Sequence, residues 1–243
     1  VSLASAGAQA TGGSGTDTLI SIENLTGSGF NDNFTGNTAN NVLDGGAGSD
    51  FLNGATGADT LISIEHLIGS GFNDNFIGNT ANNVLDGGAG SDFLNGGAGA
   101  DTMLGGDGID AYCVDHAGDL VSESNSSLAT GGNDIVYSYL AAYTLTANVE
   151  RLRLMLAGAS NGTGNALDNT LYAGDGNNVL DGAGGNDTAS YAFASAGVTV
   201  SLATARAQAT GVSASHTLVS ICHLIGSGFN DNLTGNAGNN VLT

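Results

Sequence analysis

Large apolar residues recur along this chain at a spacing of nine. The stretch "GGAGSDFLNGATGADTLI" from Gly45 shows the beat twice, and "GGAGSDFLNGGAGADTMLGGDGIDAYC" from Gly87 shows it three times. In the register G-G-x-G-x-D-x-U-x, where U is a large apolar residue, the eighth position holds Phe34, Leu43, Leu52, Leu61, Phe76, Leu85, Leu94, Met103 and Tyr112. Later copies place Leu171, Leu180, Leu233 and Leu242 there, and only Ala189 is small. No long stretch shows the 3.6-residue period of a helix. Nine residues suit one tight turn plus a three-residue strand, whose central side chain points inward while its neighbours point out. Two nonapeptides close one coil, so residues eighteen apart stack. The pattern predicts an all-β, parallel β-solenoid, a roll of stacked coils.

A longer repeat overlies the short one. "TLISIENLTGSGFNDNFTGNTANNVLDGGAGSDFLN" from Thr18 returns from Thr60 almost unchanged, and the opening "VSLASAGAQATG" reappears from Val200 as "VSLATARAQATG". The sequence reads as part of a longer array, cut at both ends. Residues 1–113 are expected to form a roll with two near-identical tandem modules. Residues 114–163 break the rhythm and predict short strands around a larger loop near 122–132. Residues 164–243 read as a degenerate roll that stops within a repeat.

Charge narrows the function. The net charge is −20, with no lysine and three arginines, Arg151, Arg153 and Arg206. Such a surface repels phosphate backbones and anionic lipid, which argues against nucleic acid and membrane insertion as partners. No apolar run approaches the length of a membrane-spanning helix, and no basic-then-apolar leader opens the sequence. Proline is absent and aliphatic residues recur regularly, so the acidity does not read as simple disorder. Cys113 and Cys222 lie far apart without paired neighbours and read as free thiols. No G-x-S-x-G elbow, H-E-x-x-H or phosphate loop is present, and the carboxylates repeat on turns rather than forming a unique pair. The expectation is a protein without catalysis.

The sixth position of each nonapeptide carries the chemistry. The stacking register puts Asp74, Asp92 and Asp110 on one edge of the roll, with Asn83 and Asp101 on the other. Asp32 likewise stacks with Asp50, and Asn41 with Asp59. Carboxylates held about 4.8 Å apart repel unless a cation lies between them. Calcium takes six to eight oxygens at about 2.3–2.6 Å, backbone carbonyls included, whereas magnesium demands a smaller octahedron. Zinc and copper would want imidazole or thiolate. The expected ligand turns are Gly45, Gly46, Gly48 and Asp50; Gly54, Gly57 and Asp59; Gly87, Gly88, Gly90 and Asp92; Gly96, Gly97, Gly99 and Asp101; and Gly105, Gly106, Gly108 and Asp110. To these are added Asp17, Asp32, Asp74 and Asp187, with Asn41 and Asn83 as uncharged ligands. Several Ca2+ ions are expected.

"GGAGSDFLN", "GGAGADTML" and "GGDGIDAYC" resemble the calcium-binding nonapeptides of the repeats-in-toxin (RTX) family. That resemblance implies a right-handed parallel β-roll, type I secretion, and folding in extracellular calcium at the cell surface or beyond. It fits a structural module of a surface-layer, adhesin or biofilm array, in contact with neighbouring copies of the array or a cell-surface component. The alternatives are the non-catalytic C-terminal calcium module of a secreted protease, lipase or alginate epimerase and, more remotely, an ice-binding roll with Thr/Asn rows. Departures from the motif are informative. Asn replaces the acid at Asn41, Asn83, Asn169, Asn178 and Asn240, and His216 does so in "GVSASH", where no calcium is expected. In "GSGFND" the fourth glycine becomes Phe30, Phe72 or Phe229, so Asp32, Asp74 and Asp231 sit in turns of different shape.

Overall fold

A computed structural model describes residues 1–5, 7–10, 16–46, 50–55, 59–62, 66–125, 130–204, 206–211 and 214–243. The fold is all-β, and no helix occurs among the described residues. Parallel strands stack into a β-solenoid that divides into two units, Val1–Gly132 and Asn133–Thr243.

In the first unit each coil gives one short strand to each of two sheets. One sheet stacks Asn33–Thr35, Phe51–Asn53, His66–Ile68, Val84–Ala89, Thr102–Asp107 and Leu120–Ser122. The other stacks Asn24–Thr26, Val42–Asp44, Thr60–Ile62, Asn75–Ile77, Phe93–Asn95 and Ala111–Val114. Leu43, Leu52, Leu61, Phe76, Leu85, Leu94, Met103 and Tyr112 are fully buried between the sheets. Fully burying one such side chain stabilises by about 1.5–3 kcal/mol, and each coil offers two. Truncating Leu94 to Ala would leave a void in this narrow core, at a cost of about 2–5 kcal/mol.

The stacking step is eighteen residues wherever two nonapeptides make the coil, as in Phe93 on Ala111. Between the tandem modules it is fifteen: Phe51 pairs His66, and Thr60 pairs Asn75. The hexapeptide "SIEHLI" at residues 63–68 replaces one nonapeptide there. It keeps the x-L-x strand, with Leu67 buried, but lacks three residues of the glycine turn. The two modules thereby stack continuously within the unit.

The nonapeptide register also persists beyond Cys113. Leu120–Ser122 pairs Thr102–Leu104 at the eighteen-residue step, with Val121 buried over Met103. "VDHAGDLVS" therefore forms a half-coil without a glycine pair, because strand and core positions are set by the apolar residue rather than by the turn. Residues 126–129, within the expected loop, lie outside the described residues.

The second unit repeats the plan with irregular spacing. Ile135–Ser138, Arg151–Leu154, Thr170–Tyr172, Asp187–Ser190 and Ile221–Ile225 form one parallel sheet. Ala142–Thr144, Ser160–Thr163, Asn178–Asp181 and Ser215–Val219 form the other, which Gln208–Ala209 joins antiparallel. Asp181 and its partner Val219 are 38 positions apart, about twenty more than the usual step, and the excursion carries Thr199–Ser201, which stacks on Asn232–Thr234. A clamp recurs in both copies of the "VSLA" sequence. The Ser201 amide donates to Gln208 Oε1 at 2.8 Å while Gln208 Nε2 donates to the Ser201 carbonyl at 2.9 Å, and Ser2 with Gln9 does the same at 2.6 Å each.

Candidate metal centre

Each sixth-position carboxylate ties its coil to the coil before it. The amide of Asn41 donates to Asp59 Oδ1, Asp59 to Asp74, Asp74 to Asp92, and Asp92 to Asp110, each at 2.8 Å. This single row joins what the sequence separated into two ladders, because the fifteen-residue coil brings Asp59 beside Asp74. On the opposite edge Asp32 donates to Asp50 at 2.8 Å, Asn83 to Asp101 at 2.7 Å, and Asp101 to Asp119 at 3.1 Å. In the second unit Asn169 donates to Asp187 at 2.8 Å and Asp134 to Glu150 at 2.9 Å. The backbone amide of a turn residue is thus satisfied by a charged acceptor one coil later, a short and strong bond.

The second oxygen separates the turns into two kinds. Oδ2 of Asp59, Asp92, Asp101 and Asp187 is buried without any hydrogen-bond partner. In the "GSGFND" turns that oxygen is already used. Asp74 Oδ2 accepts from the Ser70 amide at 2.8 Å and its hydroxyl at 3.0 Å, and Asp231 Oδ2 accepts from the Ser227 amide at 2.8 Å. Asp32 follows the same pattern with Ser28. Asn41 and Asn83 also turn their amide oxygen back onto their own turns, accepting from Asn37 at 2.8 Å and Asn79 at 3.0 Å. Asp50 and Asp110 hold the same station as Asp92 and accept the same bond from the preceding coil.

The first glycine of each turn keeps the space beside that oxygen open. A Cβ on Gly87 would lie 2.5 Å from Asp92 Oδ2 and 2.9 Å from the Gly105 carbonyl oxygen of the next coil. On Gly182 it would crowd Asp187 Oδ2 and sit 2.5 Å from the Ser220 carbonyl. Gly54 and Gly96 stand in the same way against Asp59 and Asp101, Gly45 presents its carbonyl to Gly27, and Gly105 faces Asp110. Gly46, Gly88, Gly97 and Gly106 at the second position, and Gly90, Gly99 and Gly108 at the fourth, have positive φ. At Gly97 and Gly99, with φ of +78° and +133°, a side chain would also press on the coil before, at Asn79 and Ala81. Gly48 and Gly57 lie outside the described residues, as does the side chain of Asp17.

Burial shifts these acids. Desolvation pushes the Asp92 carboxyl up to about 7, with the charges of Asp110, Asp74 and Asp86 adding to it. Asp59, Asp110 and Asp187 are each raised to about 6, again chiefly by desolvation, and Asp101 is raised for the same reason. Asp74 is raised by burial despite its extra bonds. Asp231, bonded by the Val198 amide and by Ser227, is instead lowered. A buried anion with a free oxygen beside a carbonyl is an unbalanced arrangement that a cation would balance. The donors are all hard oxygens, from carboxylate and backbone carbonyl, which suit calcium and not zinc or copper.

Three acids in this register carry no glycine motif and are absent from the sequence-based set: Asp119, Asp134 and Glu150. The signal for Asp119 is its position two residues before a buried apolar strand residue, Val121. Glu150 has the same relation to Leu152, and Asp134 to Val136. The row before the other sheet of the second unit is neutral at its three described, stacked positions. There Ser160, Asn178 and His216 stack, all buried. Asn178 Nδ2 donates to the Ser160 carbonyl at 2.9 Å, and its Oδ1 accepts from the Gly174 amide at 3.0 Å. His216 Nε2 lies 3.1 Å from the Gly176 carbonyl and Nδ1 lies 3.3 Å from the Tyr191 hydroxyl. Since a carbonyl only accepts, Nε2 carries the proton and Nδ1 accepts from Tyr191. Burial lowers the His216 pKa and keeps it neutral.

The family model described as RTX calcium-binding nonapeptide repeat (4 copies) matches residues 26–61, 68–103, 77–111, 163–190 and 223–243, more than half of the chain. Among curated proteins no match is found. The match spans the open-oxygen turns of Asp59, Asp92, Asp101 and Asp187, and residues 205–222 around His216 fall outside it. The chain belongs to the RTX calcium-binding nonapeptide repeat family.

Proposed function

We propose that this chain is a calcium-dependent structural module of a secreted or cell-surface protein, whose coils lock when cations fill the turn rows. Family membership supports calcium binding, and one observation carries the assignment to these residues. A buried Oδ2 at Asp59, Asp92, Asp101 and Asp187 has no protein partner and, at Asp92 and Asp187, shares its opening with a carbonyl of the next coil. Calcium, when bound, supplies the positive charge that these oxygens lack. Asp92 contributes Oδ2 while Oδ1 stays on the Asp74 amide, so one side chain both holds the stack and offers a ligand. Asp50 and Asp110 are assigned the same role, and Asp32, Asp74, Asn41 and Asn83 a supporting one. Gly45, Gly46, Gly54, Gly87, Gly88, Gly90, Gly96, Gly97, Gly99, Gly105, Gly106 and Gly108 shape the openings and bare the carbonyls.

The same chemistry accounts for a secretion route. With 23 acids and three arginines, the chain repels itself at low calcium and stays extended enough to thread a channel. Outside, calcium would fold it into stacked coils, suited to a surface array. The test is circular dichroism of the whole chain after exhaustive chelation and during calcium return. We expect β-structure to be lost and regained cooperatively. Unchanged spectra after chelation would overturn the reading.

A further inference from the structure

We propose that the second unit holds a binding site for a small organic monocarboxylate with a ring or apolar body, in the cavity between Arg153, Phe193, Tyr191 and His216. The cavity measures about 450 Å³, within the range that encloses small ligands. Its wall carries one of only three cations in a chain of net charge −20. The Arg153 guanidinium lies over the Phe193 ring, 3.5 Å from its centroid, and Tyr172 packs against that ring at a tilt of 50° with centroids 5.4 Å apart. Among the described residues, the Arg153 guanidinium has no hydrogen bond or ion pair, so the ring contact holds it and leaves its N–H fork unspent. A stacked, planar fork is pre-organised for a carboxylate, and the exposed Phe193 ring extends a flat apolar surface beside it.

The opposite wall is apolar in effect although its residues are not. Tyr191 and His216 stack with centroids 5.4 Å apart, and their polar atoms are occupied by each other and by the Gly176 carbonyl. They therefore present ring faces to a ligand. The neutral Ser160–Asn178–His216 edge matters here too. An anion approaching an acid-lined edge would meet a row of carboxylates, whereas this cavity meets one acid, the exposed Asp175. Asp175 disfavours a second negative charge, which limits the ligand to a monoanion.

The experiment titrates the calcium-loaded full chain with benzoate and with its neutral isostere benzamide, following amide and side-chain resonances by NMR. Benzoate is expected to saturate with shifts centred on Phe193 and Tyr191, and benzamide to bind at least about tenfold more weakly, the worth of one charge-assisted pair. Arg153→Gln should remove that discrimination. Arg151→Gln should keep it, because Arg151 is engaged elsewhere, by the Asn133 carbonyl. Phe193→Ala should weaken both ligands alike. The calcium midpoint of each variant reports whether it still folds. Equal binding of benzoate and benzamide to the unaltered protein, no saturation up to about 10 mM, or equal losses in the two arginine variants would overturn the site. Because calcium stays bound throughout, these outcomes are independent of the calcium reading.

Discussion

The row Asn41–Asp59–Asp74–Asp92–Asp110 in the first unit and the row Ser160–Asn178–His216 in the second occupy the same position relative to the strand that follows, although they line different sheets. Both are buried, both sit just before the strand, and both must satisfy turn amides away from water. The first leaves carboxylate oxygens open and is completed only by something cationic. The second closes on itself: Asn178 bonds Ser160 and the Gly174 amide, and His216 bonds Gly176 and Tyr191. One backbone plan thus tolerates two solutions, one that leaves carboxylate oxygens open and one that closes on itself. The difference lies in side-chain chemistry at one position in nine.

Removing calcium should separate the two most. Each site filled at about a hundred times its dissociation constant contributes about 2.7 kcal/mol, a factor of about 100 in exchange protection. Chelation should therefore strip amide protection from Asn75–Ile77, Phe93–Asn95 and Ala111–Val114 by at least that factor. Ser160–Thr163 and Asn178–Asp181 should lose less. Hydrogen exchange read by mass spectrometry checks this, and equal loss across both sets would erase the distinction.

A single acid should show the next largest effect. Asp92 accepts from Asp74, donates its own amide to Asp110, and keeps Oδ2 open, so it can serve ions on both sides. Asp187 has Asn169 before it and an irregular pairing after it, where the register shifts between Asp187 and Thr188. Asp92→Ala should raise the calcium midpoint of folding by about tenfold or more, since even outer ligand changes cost that much, and Asp187→Ala by clearly less. Equal shifts in calcium titrations followed by circular dichroism would show that the stacking row does not couple its ions.

Much of this was legible in the sequence, for a definite reason. The apolar residue at every ninth position fixed strand, core and stacking together, so Asp74, Asp92 and Asp110 fall in line by arithmetic alone. The fifteen-residue coil was not legible, because "SIEHLI" lacks the glycines that mark a turn while keeping Leu67 that marks the strand. Asp119 and Glu150 escaped for the same reason: their turns carry no glycine pair, and only the buried Val121 and Leu152 betray their register. His216 read as a lost ligand. Its hydrogen bonds to Gly176 and Tyr191 depend on residues 40 and 25 positions away, which no local pattern discloses.

Acidity should narrow the gap between the rows. In the calcium-free fold, Asp92 is raised to about 7 and Asp59, Asp110 and Asp187 to about 6, above an unfolded value of 3.8. The folded chain then holds protons that the unfolded chain has released. This contribution is fully present below about pH 4 and is lost as pH rises through about 6 to 7. Calcium-free protein should retain more β-structure at about pH 5 than at about pH 8, and calcium should bind more weakly at the lower pH because protons compete for the same oxygens. The neutral row should move the other way, because burial lowers the His216 pKa from 6.5 and the unfolded chain takes up that proton first as pH falls. Calcium-free β-structure that increases with pH, read by circular dichroism, would mean that the carboxylates are already balanced by protein groups.

The smallest expected effect lies in the turns themselves. Gly88, Gly97 and Gly106 take positive φ at the second turn position, but Ala55 and Ala183 stand there with φ of 69° and 63°. An L-residue in the left-handed region is disfavoured because its Cβ crowds the following carbonyl. Ala183 is exposed and its amide already bonds Asp181 Oδ1 at 3.0 Å, so the turn is held in spite of the residue. Replacing it with glycine relieves the crowding, and a more flexible unfolded chain offsets part of the gain. Ala183→Gly and Ala55→Gly should each stabilise the calcium-loaded protein by about 0.5 kcal/mol, and Gly97→Ala should destabilise it by more than that. Thermal melts of the three variants in saturating calcium test the sign. If Ala183→Gly lowered the melting temperature, the left-handed turn would not be the conformation that alanine is forced into.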